Sequence, residues 1–169
     1  YKDQINQKTI QVQNIFEKQA AIKNFKVDEV IPANPIFNYR NKMEFTFSKN
    51  RWILDDEPEK VESDFALGMH IPKRWDKILD IKSCDLMPDV GSKIINVVRD
   101  LAKKSKLKPY DQRSHIGFLR YLALRFGQNT NELMVNLVTS YEDLDSLIPF
   151  VEEIVNEFPE VTSVVNNIN

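Results

Sequence analysis

Glycine, cysteine and long apolar runs are what this sequence has least of. Its four glycines, Gly68, Gly91, Gly117 and Gly127, each stand alone. A dinucleotide-type cofactor usually sits on a glycine-rich turn between strand and helix. No such turn, phosphate loop or nucleophile elbow is present. The single cysteine, Cys84, excludes an intrachain disulfide and points to a reducing, cytoplasmic setting. With His70 and His115 it makes too small and too scattered a set for a metal site. No run approaches the ~20 apolar residues that cross a bilayer. Residues 1–25 are polar and amphipathic, unlike a signal peptide. Strong charge of either sign is lacking too: 23 Lys and Arg against 25 Asp and Glu leave a net −2. Any nucleic-acid contact must therefore come from local basic clusters on a neutral background.

What is there suits a globular α+β chain. The 169 residues are 42% hydrophobic and 28% charged, and ten Phe and two Trp supply bulky core material. Ile5, Val12, Ile15 and Phe16 share one side of a helix expected over 3–21. Pro32 and Asn34-Pro35 then break the backbone. From Lys42 the period becomes two: Met43, Phe45 and Phe47 on one face, Lys42, Glu44, Thr46 and Ser48 on the other. The acidic stretch 55–63 reads as a solvated hairpin loop, followed by strands over 65–71 and 77–81. A helix over 92–107 turns Ile94, Ile95, Val98, Leu101 and Ala102 inward and places Lys103, Lys104 and Lys106 in its last turn. Strands at 118–126 and 132–138 flank the turn residues Gly127 to Asn131. A last helix begins near Ser146, so that Pro149 falls in its first turn, and its face carries Leu147, Val151, Ile154, Val155 and Phe158. Val161 to Ile168 is the final strand. This pattern predicts an antiparallel sheet with helices on one face, preceded by an N-terminal helix with no place in the sheet.

Chemistry is sparse. The carboxylate pairs Asp55-Asp56 and Glu152-Glu153 read as solvated surface, and Cys84 by itself reads as a small buried hydrophobe. Basic residues interleaved with aromatics at strand ends are more suggestive: Tyr39-Arg40-Asn41-Lys42, Lys73-Arg74-Trp75 and Arg113-Ser114-His115. Arg40, Lys42, Lys73, Arg74, Arg113 and His115 are the candidates for phosphate contacts, with Trp75 or Tyr39 as stacking surfaces. The plainer alternative is ordinary surface charge beside half-buried rings.

Four segments in order resemble one family: Tyr39 to Phe45; Leu67 to His70 continuing through Asp76 to Cys84; His115 to Gly127 followed by Glu132 to Val138; and Val161 to Asn169. Together they are similar to the RNA (uracil-5-)methyltransferases, in particular the bacterial 23S ribosomal RNA type. The resemblance implies that 37–169 is a central, RNA-facing α+β domain. It also implies that 1–36 is a helix and linker associated with a separate S-adenosylmethionine-binding domain. Methyl transfer in that family uses a cysteine thiolate that adds to C6 of uracil, and this thiolate, its partner base and the cofactor site are expected outside these residues. Many members hold a [4Fe-4S] cluster with three cysteines upstream and a fourth where Cys84 stands. One thiolate does not complete such a site, so no cofactor is expected on this segment itself. The expectation is an internal segment, inactive alone, that positions RNA, with no membrane contact and no obligate protein partner indicated. The alternative is a stand-alone binding module for RNA or protein.

Overall fold

The computed structural model describes residues 1–58 and 61–169, which divide into two units, Tyr1–Ile36 and Phe37–Asn169. In the first unit, α1 (Lys2–Asn14) passes into a π-helical turn over Ile15–Gln19. The expected helix over 3–21 is therefore shorter. Widening lets the Ala20 amide donate to the Ile15 carbonyl, and Ala21 at φ 54° stops the coil. Phe25 comes back to stack near Phe16 at 5.4 Å, and the Ala33 amide donates to the Tyr1 hydroxyl. The Asn34–Pro35 bond is cis.

In the second unit, alternation decides which side of β1 (Lys42–Ser48) is covered. Met43, Phe45 and Phe47 are at most 2% exposed, while Lys42 and Glu44 face solvent. Each Phe withdrawn in this way contributes about 1.5–3 kcal/mol. Antiparallel neighbours are β2 (Ala66–Ile71) on one side and β4 (Leu119–Gly127) on the other. β3 (Arg74–Asp80) pairs with β2, and β5 (Glu132–Thr139) with β4. The six-stranded order is β3-β2-β1-β4-β5-β6. Two helices, α2 (Asp89–Lys104) and α3 (Leu144–Glu157), cover the Phe45 face. Ile94, Ile95 and Val98 of α2 and Leu147, Phe150 and Ile154 of α3 join the sheet residues in one apolar cluster. The α+β class and the one-sided helices are as the sequence predicts.

Several details differ from expectation: β3 begins at Arg74 rather than Lys77, and α2 runs three residues earlier than 92–107, which leaves Lys106 outside it. β6 (Val161–Ile168) has the expected bounds but pairs with β5 in parallel. The reason is α3, a crossover that returns the chain to the end from which β5 started. α3 begins at Leu144, two residues early, because Asp143 caps it by accepting the Ser146 amide at 3.1 Å and the Ser146 hydroxyl at 2.7 Å. Pro149 therefore lies inside the helix rather than in its first turn. Phe150 takes the buried position that counting gave to Val155, which is 47% exposed. The expected loop over 55–63 lies partly, at 59–60, outside the described residues. Its flanks are tied down by ion pairs, Glu57 to Arg51 at 2.8 Å and Glu62 to Lys103 at 2.6 Å.

One polar knot sits inside this fold. Arg99 of α2 is 5% exposed and donates to the Asp80 carboxylate at 2.9 Å and to the carbonyls of Leu67 and Ile81. The same Asp80 oxygen accepts the Leu67 amide at 2.9 Å. Gly68 is needed beside it, since a Cβ there would stand 1.9 Å from the Leu79 carbonyl oxygen. Replacing Asp80 by Ala leaves the Arg99 charge buried and unpaired. We expect a loss of about 3–5 kcal/mol, read as a lower denaturation midpoint in urea.

Candidate nucleic-acid interface

The loop over 109–117 leads into β4, and its shape is set by one carboxylate. Asp111 accepts the Arg113 amide at 3.0 Å and the Ser114 hydroxyl at 2.9 Å, and it pairs with the Lys49 ammonium just beyond β1. Backbone bonds from Asp111 to Ile116 and from His115 to Asp111, each 2.8 Å, close the turn. Gly117 has φ +120°, and a Cβ there would lie 2.2 Å from the Pro109 carbonyl oxygen, so only glycine fits. Hydrogen bonding from Lys49, and then from the Arg113 amide, holds the Asp111 carboxyl well below its ordinary 3.8, at about 2.

Opposite this loop stands the β2–β3 hairpin. Its two-residue turn is Pro72-Lys73, with Lys73 at φ 64°, the arrangement of a type II turn with proline first. β2 is in register with β1 only from Thr46 to Ser48, so the outer half of the hairpin is not held on β1. It meets the 109–117 loop instead. The Arg113 guanidinium lies 5.1 Å from the centre of the Trp75 ring, a cation–π distance. Arg74 grips Asp76 through two bonds of 3.0 and 3.2 Å and sits 5.8 Å from the Trp52 ring. Bonding to Asp76 raises the Arg74 pKa, and bonding to Arg74 lowers that of Asp76. Trp75 itself is 62% exposed.

A second group adjoins the first through Tyr110. The Arg120 guanidinium lies 4.5 Å from the Tyr110 ring centre and 5.8 Å from that of Tyr121. The Tyr110 hydroxyl is 2.8 Å from His115 Nδ1, and His115 is held at φ 57°. Four of the six candidates, Lys73, Arg74, Arg113 and His115, are thus carried by the hairpin and the loop it meets. Arg40 and Lys42 are elsewhere. Lys42 opens β1, about 20 Å along the strand from Lys49 at ~3.3 Å per residue, and it lines a different cleft with Arg125 and Glu132. There Arg40 leans on the Met43 sulfur at 3.6 Å, and Lys42 pairs with Glu44 at 3.8 Å beside Arg125.

Lys49, Trp52, Tyr110, Arg120 and Tyr121 were not among the candidates, although the same signal was available for some. Ser48-Lys49-Asn50-Arg51-Trp52 is another basic and aromatic run at a strand end. Arg120 and Tyr121 lie within an apolar strand, where a register shift between Leu119 and Tyr121 disturbs simple alternation. Cys84 is half-buried, its amide donating to the Ser92 hydroxyl at 3.1 Å. Among the described residues no three His, Cys, Asp or Glu side chains group as a metal site.

No family model matches the chain. Over 99% of its length it is 34% identical to an uncharacterized RNA methyltransferase of Chlorobaculum tepidum, and over its full length 34% identical to one of Bacteroides thetaiotaomicron. It covers 36% and 38% of those proteins. A solved structure similar in fold is the Pyrococcus abyssi tRNA (uracil-54, C5)-methyltransferase in complex with S-adenosyl-L-homocysteine, with a TM-score of 0.60 and 25% identity. That match takes in 89% of this chain and 31% of the other. The chain is thus similar over its whole length to part of these RNA methyltransferases, and in fold to part of a tRNA uracil-C5 methyltransferase. It spans little more than a third of the length of these curated relatives, and it carries the hairpin and loop just described.

The Asp111 carboxylate gives this interface a pH signature. Its pKa is depressed in the folded chain, so its contribution is complete above the ordinary 3.8 and is lost as pH falls toward about 2. Replacing Asp111 by Asn should lower stability at neutral pH and remove that part of the acid sensitivity. Urea midpoints of both proteins at pH 7 and pH 2.5 measure it, and the gap between them should shrink in acid.

Proposed function

We propose that this chain is the RNA-gripping α+β part of an S-adenosylmethionine-dependent RNA (uracil-5-)methyltransferase acting on 23S ribosomal RNA, and that it does not transfer methyl groups alone. The observation that carries the reading is the meeting of the β2–β3 hairpin with the 109–117 loop, which gathers Lys73, Arg74, Arg113, Trp75, Tyr110 and Arg120 on an otherwise neutral chain. Such a surface suits unpaired RNA, whose bases stack on aromatic and guanidinium planes while cations meet its phosphates. Gripping is useful to a uracil methyltransferase because the target base must leave its stack before C5 and C6 can be reached.

Two groups that the family implies do not find their sites in these residues. S-adenosylmethionine is supported for the family by the S-adenosyl-L-homocysteine bound to the Pyrococcus abyssi protein. The four isolated glycines here form no turn for it, and we place its site in the parent protein beyond residues 1–169. Cys84 would give one thiolate to a [4Fe-4S] cluster of the parent. A single thiolate does not hold a cubane, so this chain by itself does not fit one. The 23S target rests on the resemblance of the sequence motifs, while the structural neighbour acts on tRNA. Offering both RNAs to the parent protein and finding which one it methylates decides between them.

Two outcomes test the proposal. The 169-residue chain should bind single-stranded RNA with an affinity that falls steeply with salt. Reversing Lys73 and Arg74 to Glu should weaken binding at least tenfold and lower the log–log salt slope by about one for each phosphate no longer neutralised. Anisotropy titrations from 50 to 200 mM salt, the range over which such slopes are read, follow both effects. Incubation with labelled S-adenosylmethionine and RNA should leave the RNA unlabelled.

A further inference from the structure

Between the hairpin and the loop lies a cleft of about 470 Å³, its open mouth included. Its enclosed part is only about 50 Å³, so an occupant lies mostly in the open mouth, against the side chains at the rim. Trp75 lines it, together with Thr46, Ser48, Asn50, Asp111 and Gln112. We infer that this cleft takes one unpaired nucleobase, stacked on Trp75 and read at its edge by Asn50 and Gln112. The inference rests on the RNA reading above and deepens it, by assigning a base-holding site to this chain's own residues.

Three observations carry it. The Trp75 indole is 62% exposed yet held in place, because Arg113 lies over it and the hairpin beneath is pinned by the Arg74–Asp76 fork. A large apolar ring kept in water by polar neighbours is ready to stack, and a nucleobase offers a flat partner of matching size. Second, among the described residues the side-chain amides of Asn50 and Gln112 make no hydrogen bond within the protein. Each offers donors and an acceptor together, as a base edge does. Third, the charges are sorted. Asp76 and Asp111 are paired to Arg74 and Lys49, whereas Lys73 and Arg113 have no carboxylate within ion-pair distance among the described residues. Those two cations can meet the phosphates on either side of a seated base.

The test uses the 169-residue chain and a mixed-sequence single-stranded RNA of eight nucleotides, with eight copies that each lack one base. The wild-type chain should lose affinity sharply for one abasic copy. Replacing Trp75 by Ala should weaken binding of the intact RNA about tenfold or more, as alanine substitution does where a base stacks, and should abolish the difference between intact and abasic copies. Replacing Trp75 by Phe keeps a stacking ring and should retain most of the affinity. Trp75 is exposed, so neither change threatens the fold. If the alanine variant binds like wild type, or all abasic copies bind alike, the cleft holds no base and only this inference fails. If the wild-type chain binds none of these RNAs, the RNA reading fails and the inference with it.

Discussion

Arg99 fixes the base of the β2–β3 hairpin, and the surface at the other end of that hairpin depends on it. Its guanidinium reaches from α2 to Asp80 of β3, to the Leu67 carbonyl of β2 and to the Ile81 carbonyl beyond β3. One buried cation thus satisfies backbone and side-chain acceptors on two strands and a loop. Because β2 is in register with β1 over only three residues, the sheet itself does little to aim the outer hairpin. The Arg99 knot at one end, and the backbone bonds from Ile78 to Asn50 and from Trp52 to Ile78 further out, supply the direction. A buried ion pair is not a strong source of net stability. Its role here is to specify where the hairpin points.

The candidate surface is built by the same economy. Asp111 and Asp76 lie beside cations, where they could oppose an anionic ligand, yet each is engaged by a lysine or arginine of its own neighbourhood. The carboxylates shape the loop and the hairpin, and the remaining cations face outward. Aromatic rings lie against three of the arginines, so that Arg74, Arg113 and Arg120 are held beside flat apolar surfaces rather than waving in solvent. Planar, pre-placed cations next to rings suit a ligand that alternates phosphate and base.

Where local pattern governs, the sequence was legible. The two-residue alternation at Met43, Phe45 and Phe47, the turn residues from Gly127 to Asn131, and the bounds of Val161 to Ile168 each depend on neighbours in the chain. The parallel pairing of β6 was not legible, because it depends on where α3 delivers the chain. The early start of α3 was written in Asp143 and Ser146, but Pro149 argues locally for a later one, and the cap outweighs it. Of the candidate site, the residue types were legible and the grouping was not. Arg40 and Lys42 carry the same motif signature as Lys73 and Arg74, and only the register of β1 shows them about 20 Å from Lys49. The contact between Lys49 and Asp111 joins positions 62 apart, which no short window of sequence reveals.

We propose that RNA meets this chain where the β2–β3 hairpin faces the 109–117 loop. Ultraviolet crosslinking to single-stranded RNA, followed by mass-spectrometric mapping of the modified peptides, tests it most directly. Crosslinks concentrated on Trp75 and on Tyr110 to Tyr121 are the result expected. Crosslinks confined to the Arg40–Lys42 end of β1, or spread evenly over the chain, would contradict it.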